Sequence, residues 1–278
     1  MSAKLRAPVE PGRTAERASA GARVLLVVPT SGRHPELLEE TLRSLLRQHD
    51  EPAEIVLVAR REAVEARELA ARLGVAVVDD PGRGFAGAVN AGLALARPGH
   101  VYGNWIGEHD LLLPGALMVA AARLDARPEA VLAYGDCRLV TDEGHYFRTP
   151  HIGRYARWLL PWGPTLLAQP AALFRLADVA EVGYLDESLR HAMDLDLLLR
   201  LRRRGGFEPT GRTLATFRLP SQRTTQAQRI EAAREDEQVR TRYLTPSLRT
   251  PAMVWEAPLR LLARAEQVRT QRSAAWEL

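Results

Sequence analysis

The sequence of 278 residues has few cysteine, aromatic or lysine residues. Its single cysteine, Cys137, excludes an internal disulfide and a zinc site built from several cysteines. Aromatic residues make up 6% of the chain, which disfavours stacking platforms for single-stranded nucleic acid. No apolar run reaches the ~18 residues that a membrane-spanning helix needs, and the charged N-terminus lacks the apolar segment of a secretory signal. We therefore expect a cytoplasmic globular protein.

The basic residues are almost all arginine. Lys4 is the only lysine, so 37 of the 38 basic residues are arginine, and they are interspersed with 34 acidic residues to give a formal net charge of +4. This bias is typical of GC-rich coding or of an anionic partner such as a nucleotide or a phospholipid surface. Because the arginines form no basic block, we expect no nucleic-acid partner.

Short apolar segments alternate with stretches of helical periodicity in the first half of the chain. A β-branched run that is apolar on both faces, such as VLLVV at Val24 to Val28, is typical of a central parallel strand. The alternation predicts an α/β fold with a mainly parallel twisted sheet and helices on both faces. In such sheets ligands bind beyond the carboxyl ends of the strands. The predicted strands are 24–28, 55–58, 75–78, 100–107 and 130–136.

The two ends of the chain differ from this pattern. The polar residues 1–21 predict a flexible tail, residues 22–225 a single domain, and residues 226–278 a C-terminal helical extension. Residues 259–269 form an amphipathic segment. We expect that segment to pack on the domain or on a second subunit; the alternative is contact with an anionic membrane surface.

Three segments could carry chemistry. The sequence GRGFAG, from Gly82 to Gly87, matches the dinucleotide fingerprint, but its position after the third predicted strand favours a glycine-rich turn with close helix packing. The Glu108-His109-Asp110 segment lies between a strand and a helix, where carboxylates either hold a divalent metal or start the helix. Asp194 precedes a leucine-rich helix and is either a general base or a helix cap.

These segments, in this order, resemble the family 2 glycosyltransferases of the GT-A fold. The resemblance covers about Val24 to Thr225. It is carried by VLLVVPTSGRHPELLEETLRSLLRQ, GRGFAGAVNAGLALA, WIGEHDLLLPGAL, AALFR after Gln169-Pro170, and GYLDESLRHAMDLDLLLRL. It implies an inverting transferase that moves a sugar from a nucleotide-diphosphate donor to a hydroxyl of a glycan, lipid-linked or small-molecule acceptor. The enzyme would be hexosyltransferase-like and serve glycan biosynthesis.

The resemblance also implies roles for individual residues. Asp194 would be the base that deprotonates the acceptor hydroxyl, and Asp110 would be the main ligand of a Mg²⁺ or Mn²⁺ ion, assisted by Glu108 or His109. The expected donor-binding residues are Pro29, Thr30, Gly84, Asn90, Glu108, His109 and Asp110. The expected acceptor-binding residues are Trp158, Trp162, Gln169 and Asp196, with the tryptophans equally able to pack within their loop.

Several positions depart from the family pattern. The second strand runs into Ala59 and Arg60 where the family usually has an aspartate, Val89 replaces an arginine, and Glu-His-Asp replaces two or three aspartates. These departures leave the nucleotide base and the use of metal open. The alternative functions are a non-catalytic nucleotide-sugar-binding relative and an NAD(P)-binding oxidoreductase that uses residues 82–87. A peripheral contact with the inner membrane face also remains open, as does the oligomeric state.

Overall fold

A computed structural model describes residues 21–141, 144–151, 153, 156–161, 165, 167–218 and 226–244. Within these ranges the helices are α1 (Pro35–Leu46), α2 (Val64–Leu73), α3 (Gly84–Leu93), α4 (Ala116–Asp125), α5 (Ala156–Leu159), α6 (Leu176–Glu181), α7 (Met193–Leu201) and α8 (Gln226–Tyr243). The strands are β1 (Val24–Thr30), β2 (Ala53–Ala59), β3 (Ala76–Asp79), β4 (Tyr102–Trp105), β5 (Leu111–Leu112), β6 (Ala130–Val140), β7 (Tyr146–Arg148), β8 (Ala172–Arg175) and β9 (Gly206–Arg218).

The described strands form one mixed sheet in the order β3-β2-β1-β4-β8-β6-β9-β5, with β7 paired to β6. The pairs β3–β2, β2–β1 and β1–β4 are parallel, and so is the pair β6–β9. Strand β8 runs antiparallel between β4 and β6, and β5 runs antiparallel to β9. The prediction of an α/β fold with a mainly parallel sheet is confirmed, with antiparallel strands inserted in its second half.

The core lies on both faces of the sheet. Alternate residues of β1 point to opposite sides, so Leu25 and Val27 belong to one buried cluster and Leu26 and Val28 to the other. Helices α3, α6 and α7 cover the first face, and α1, α2 and α4 cover the second. This arrangement explains why the VLLVV run is apolar without alternation: both faces of the strand are buried.

Local sequence features set the ends and spacing of the helices. Pro35 occupies the first turn of α1, where its missing N–H has no helical partner to lose. Gly74 ends α2 in the left-handed conformation, with φ 70°, which suits glycine. Gly92 brings α3 close to β1, since a β-carbon there would lie 2.3 Å from Cγ1 of Val27.

Other predictions from the sequence have different outcomes. Strands β6 and β7 pair antiparallel on either side of Gly144. The irregular stretch at 151–168 contains the short helix α5. Every helix in the described ranges is too short or too polar to cross a bilayer. The predicted tail (except Gly21), Trp162 and the amphipathic segment 259–269 lie outside the described residues, and the three-part division of the chain stays a prediction.

Candidate active site

A cleft of about 960 Å³ opens at the carboxyl ends of β1, β2 and β4, as the fold class predicts. This volume is at the upper end of the ~300–1,000 Å³ that ligand pockets usually have. The opposite wall comes from the 165–170 segment, β7 and the start of α7. The residues of the predicted site that line it are Pro29, Thr30, Gly84, Glu108, His109, Asp110, Gln169 and Asp194.

Glu108 is held by the loop that follows β1. Its carboxylate accepts hydrogen bonds from the Ser31 hydroxyl at 2.8 Å and from the Ser31 backbone N–H at 3.2 Å, and a further short contact joins it to the Thr30 hydroxyl. The Thr30 hydroxyl in turn accepts the backbone N–H of Gly32 at 2.9 Å. Both carboxylate oxygens of Glu108 therefore already have partners, and Glu108 ties the ends of β1 and β4 together.

Asp110 is the buried acid of the cleft, with 4% of its surface exposed. Burial raises the pKa of its carboxyl to about 7, although backbone N–H groups of Arg218 and Gly107 and the charge of Arg218 act in the opposite direction. The Arg218 N–H lies 3.3 Å from the carboxylate. A carboxylate with this environment is stabilised by added positive charge in the cleft.

Asp194 lies in the first turn of α7 and reaches the cleft from the other side. Its carboxylate accepts the backbone N–H of Leu195 at 2.8 Å. Burial raises the pKa of the carboxyl to about 6, the Asp236 carboxylate adds to the increase, and the charge of Arg240 opposes it. A carboxyl with this pKa is largely ionised at pH 7 and has the basicity that general-base catalysis requires.

The described residues contain no group of three His, Cys, Asp or Glu side chains that could hold a metal ion, so the predicted Glu108, His109 and Asp110 triad does not form a three-ligand set. Mg²⁺ in nucleotide sites is typically bound by one or two carboxylates together with substrate phosphates rather than by a protein cage. Asp110 fits that kind of site because it is a buried cleft carboxyl whose ionised form is penalised.

Gln169 connects the two walls of the cleft. Its side-chain amide donates to the Trp105 carbonyl at 2.7 Å and to the Asn104 side-chain oxygen at 2.6 Å. Asn104 is 1% exposed and donates to the Ala172 carbonyl at 2.6 Å. Gln169 thus fixes the 169–171 turn against the end of β4, and it lines the cleft as predicted for an acceptor-side residue.

Of the predicted site residues that the structure describes, Asn90, Asp196 and Trp158 do not line the cleft. Asn90 bridges α3 to the 185–187 loop through the backbone of Leu185 and the Glu187 carboxylate. Asp196, expected at the acceptor, is buried and bonded to Arg200 and to the Tyr243 hydroxyl. The side chains of Asn90 and Asp196 thus make hydrogen bonds within the fold, and the binding roles of both residues stay predictions. Trp158 is exposed.

Three arginines in the cleft were missed from the sequence. Arg33 follows β1, Arg60 follows β2 and Arg148 ends β7, and all three line the cleft. Arg60 also lies 3.7 Å from the Asp80 carboxylate. Their only signal in the sequence is position: Arg33 and Arg60 stand in loops at the carboxyl ends of predicted strands, where ligands of α/β sheets bind. Together they make this part of the cleft suited to an anionic ligand.

The chain is similar to known proteins in sequence and in fold. Residues 25–180 match the family model described as Glycosyl transferase family 2. The structure is similar to crystal structures of S. aureus TarS residues 1–349 in complex with UDP (TM-score 0.55, 15% identity, 78% of this chain and 65% of that one) and in complex with UDP-GlcNAc (TM-score 0.55, 15% identity, 81% and 72%).

The extent of these similarities is uneven. A further TarS 1–349 structure matches with a TM-score of 0.55 at 15% identity over 90% of this chain and 89% of that one. The chain spans just under two thirds of the UDP-bound structure. No curated protein sequence matches the chain. At these identities the TarS structures confirm the GT-A fold, whereas the family match concerns the sequence itself.

Proposed function

The chain belongs to glycosyl transferase family 2, and from this membership we propose that it is an inverting transferase that uses a nucleotide-diphosphate sugar, with Asp194 as the base. The observation that carries the proposal is that Asp194 and Asp110 line the same cleft of about 960 Å³. Burial raises the pKa of both carboxyls. Raised carboxyl pKa values in a cleft are typical of functional sites. The family match favours this function over the NAD(P)-dependent alternative, for which residues 82–87 are the sole support.

The proposed reaction is a single displacement. The Asp194 carboxylate removes the proton from an acceptor hydroxyl as the oxygen attacks the anomeric carbon of the sugar. A C–O bond forms on one side of that carbon, and the C–O bond to the diphosphate breaks on the other, which inverts its configuration. General-base assistance of this kind contributes about 10²–10⁴-fold to the rate. The leaving nucleoside diphosphate takes the bonding electrons and the developing negative charge.

The cleft has groups for that charge. Asp110 would hold a Mg²⁺ or Mn²⁺ ion, which when bound neutralises negative charge on the diphosphate. Arg33 and Arg60 line the same part of the cleft and provide positive charge from the protein itself. Glu108 keeps the loop after β1 in place through Ser31 and Thr30, so its proposed part is to shape the donor site. His109 lines the cleft beside them.

The partners are proposed at the level of chemical class. TarS was crystallised with UDP and with UDP-GlcNAc, and we propose a nucleotide sugar for this chain. The acceptor hydroxyl would belong to a glycan, a lipid-linked glycan or a small molecule, and it would enter between Gln169 and Asp194. Contact of residues 259–269 with an anionic membrane surface stays a separate prediction, tested by co-sedimentation with vesicles containing phosphatidylglycerol.

The test is thermal stability against UDP, dTDP, GDP, CDP and ADP, each with and without Mn²⁺, with NAD⁺ as a comparison. A ligand that binds only the folded state at 100 times its Kd adds about 2.7 kcal/mol, which corresponds to roughly 5–10 °C for a chain of this size. We expect one nucleoside diphosphate to raise the melting temperature in a Mn²⁺-dependent manner. A shift with NAD⁺ alone would contradict the proposal.

Two variants separate binding from turnover. We expect Asp110→Asn to lose the Mn²⁺-dependent part of the shift, because a neutral amide is a poor ligand for a hard cation. Asp194→Asn should keep the full shift and lose at least about 100-fold in sugar transfer. If wild-type protein binds the donor but neither transfers nor hydrolyses it, the non-catalytic alternative holds instead.

A further inference from the structure

Helix α8 contacts the turn that leads into α7, although α8 lies well beyond the family match at residues 25–180. The Glu235 carboxylate accepts the backbone N–H groups of Arg190 at 3.0 Å and Ala192 at 2.8 Å, and that of His191 between them. Burial alone would raise the pKa of Glu235, but these hydrogen bonds lower it. One ionised carboxylate therefore holds three successive residues just before the helix that carries Asp194.

The neighbouring residue of α8 acts on Asp194 through its charge. The Asp236 carboxylate raises the pKa of Asp194, and Arg240, one turn later on α8, acts in the opposite direction. Among the other elements, His191 lies in the turn before α7 and lines the cleft. The acids of α6, Asp178 and Glu181, pair with Arg204 beyond the far end of α7. Helix α8 thus contributes one negative side chain, Asp236, and one positive side chain, Arg240, to the charges that act on Asp194.

Further contacts fix the position of α8. Val239 is fully buried in the core, and Arg240, 6% exposed, donates to the Leu160 carbonyl at 2.7 Å and to the Thr165 hydroxyl at 3.1 Å. The Tyr243 hydroxyl donates to Asp196 at 2.6 Å. With Glu235, these residues recur at the spacing of one helix face. Since Thr165 lines the cleft, α8 contacts two parts of the same wall, the start of α7 and the 165–170 segment.

We infer that α8 supports the active site from outside the cleft, with Glu235 and Asp236 as positioning residues for Asp194: Glu235 holds the turn from which the helix of Asp194 starts, and Asp236, the next residue of α8, brings a like charge toward Asp194. Neither residue lines the cleft, so both act through Asp194. The inference rests on the proposed role of Asp194 as a base. A like charge near a base makes its carboxylate a stronger proton acceptor.

The first test measures the carboxyl of Asp194 directly in the full chain. Protein labelled with ¹³C at aspartate carboxyls is titrated between pH 3 and pH 9, and the Asp194 signal is identified by its loss in Asp194→Asn. We expect Asp236→Asn to lower the pKa of Asp194. Glu231→Gln is the matched control, because it removes one negative charge from an exposed position of the same helix. An Asp194 pKa that is equal in Asp236→Asn and wild type overturns the role of Asp236.

The second test follows the turn that Glu235 holds. Backbone hydrogen exchange at residues 190–192 should accelerate about tenfold or more in Glu235→Gln, since charge-assisted hydrogen bonds to three amides are weakened. Exchange there should be unchanged in Glu231→Gln. Equal exchange in Glu235→Gln and wild type overturns the role of Glu235. If Glu235→Gln does not fold, the Asp236→Asn titration decides the inference alone.

Turnover then separates this inference from the proposed function. With UDP-GlcNAc as the probe, UDP release by wild type should rise with pH through about 6, as Asp194 loses its proton, and Asp236→Asn should move that rise to lower pH. Absence of UDP release in wild type at every pH counts against the proposed function for this donor, while the titration and exchange results stand. Release whose pH dependence is identical in Asp236→Asn and wild type overturns the inference.

Discussion

At the scale of single residues, the burial of Asp194 makes its ionised carboxylate unfavourable for stability. Its carboxyl has a pKa of about 6 in the fold, above the ordinary aspartate value of 3.8. Above pH 6 the group is ionised in both the folded and the unfolded state, so the raised pKa destabilises the fold there. Below about pH 4 both states carry the proton and the cost disappears. The site thus keeps an unfavourable carboxylate that a stability-optimised protein would replace.

We therefore predict that Asp194→Asn raises the free energy of unfolding at pH 8 by about 1–3 kcal/mol, since a pKa difference of one unit corresponds to ~1.4 kcal/mol. The gain should vanish as the pH falls to 4. Urea denaturation at both pH values measures it, with Asp50→Asn as the control at an exposed position. A stability gain of the same size at pH 4 and pH 8 would show that the desolvated charge is not its cause.

The network around Asn104 gives a second prediction at this scale. Its side chain is buried and bonds to Gln169 and Ala172, which are distant in sequence. Asn104→Ala would remove one hydrogen bond from the buried Ala172 carbonyl and one from the Gln169 amide. A buried polar group left unsatisfied costs about 1–3 kcal/mol. We expect a lower urea midpoint and weaker acceptor binding. Unchanged stability would mean that water replaces the lost amide.

Most residues of the site predicted from the sequence line the cleft, whereas Asn90 and Asp196 lie outside its lining. Thr30, Asp110 and Asp194 follow strands or start helices at the cleft edge, so position along a predicted element located them. Asp196 shares the acidic segment with Asp194, but two residues along a helix turn a side chain by about 200°. Its carboxylate therefore meets Arg200 and Tyr243 within the fold. A linear motif does not distinguish such neighbours until the helix is placed.

At the scale of elements, the packing of α3 on β1 depends on Gly92. A β-carbon at Gly92 would lie 2.3 Å from Cγ1 and 2.8 Å from Cγ2 of Val27. Gly92→Ala must therefore push α3 away from the strand that leads to Thr30, and overpacking of this kind costs typically ~1–3 kcal/mol. We expect a lower melting temperature and weaker nucleotide binding. Gly99→Ala is the control, because a β-carbon there meets nothing within 4 Å.

The elements of the first half were predictable and α8 was less so, for a physical reason. Helices α1 to α4 bury apolar residues, and their periodicity is visible in the sequence. Helix α8 docks mainly through polar groups: Glu235 on backbone amides, Arg240 on a carbonyl, and Tyr243 on Asp196. Among the described side chains of α8, Val239 belongs to the core and Tyr243 packs against it. Because these contacts are polar, the pattern of apolar residues in α8 does not indicate which part of the domain the helix contacts.

At the scale of the whole molecule, the sheet order explains both the cleft and the limits of prediction. Alternating strands and helices predict a mainly parallel sheet, and β1 to β4 obey it. The antiparallel insertion of β8 between β4 and β6 comes from a segment far along the chain. Pairing over such distances has no local pattern, and β8 is not among the strands predicted from the sequence. That insertion brings Gln169 against the end of β4, where it lines the cleft.

The long-range contacts of α8 predict that this helix stabilises the fold. A chain that ends after residue 225 lacks α8, and the core surface that Val239 covers becomes exposed. A chain that ends after residue 244 keeps α8 and keeps that surface covered. Burial of one valine contributes about 1.5–3 kcal/mol, and the charged hydrogen bonds of Glu235 contribute about as much. We expect the shorter chain to melt more than about 5 °C below the longer one. Because both chains lack residues 245–278, the difference belongs to residues 226–244. Equal melting temperatures would mean that α8 lies on the domain without stabilising it, and the start of α7 would then have to be held by its own contacts with α6 and the core.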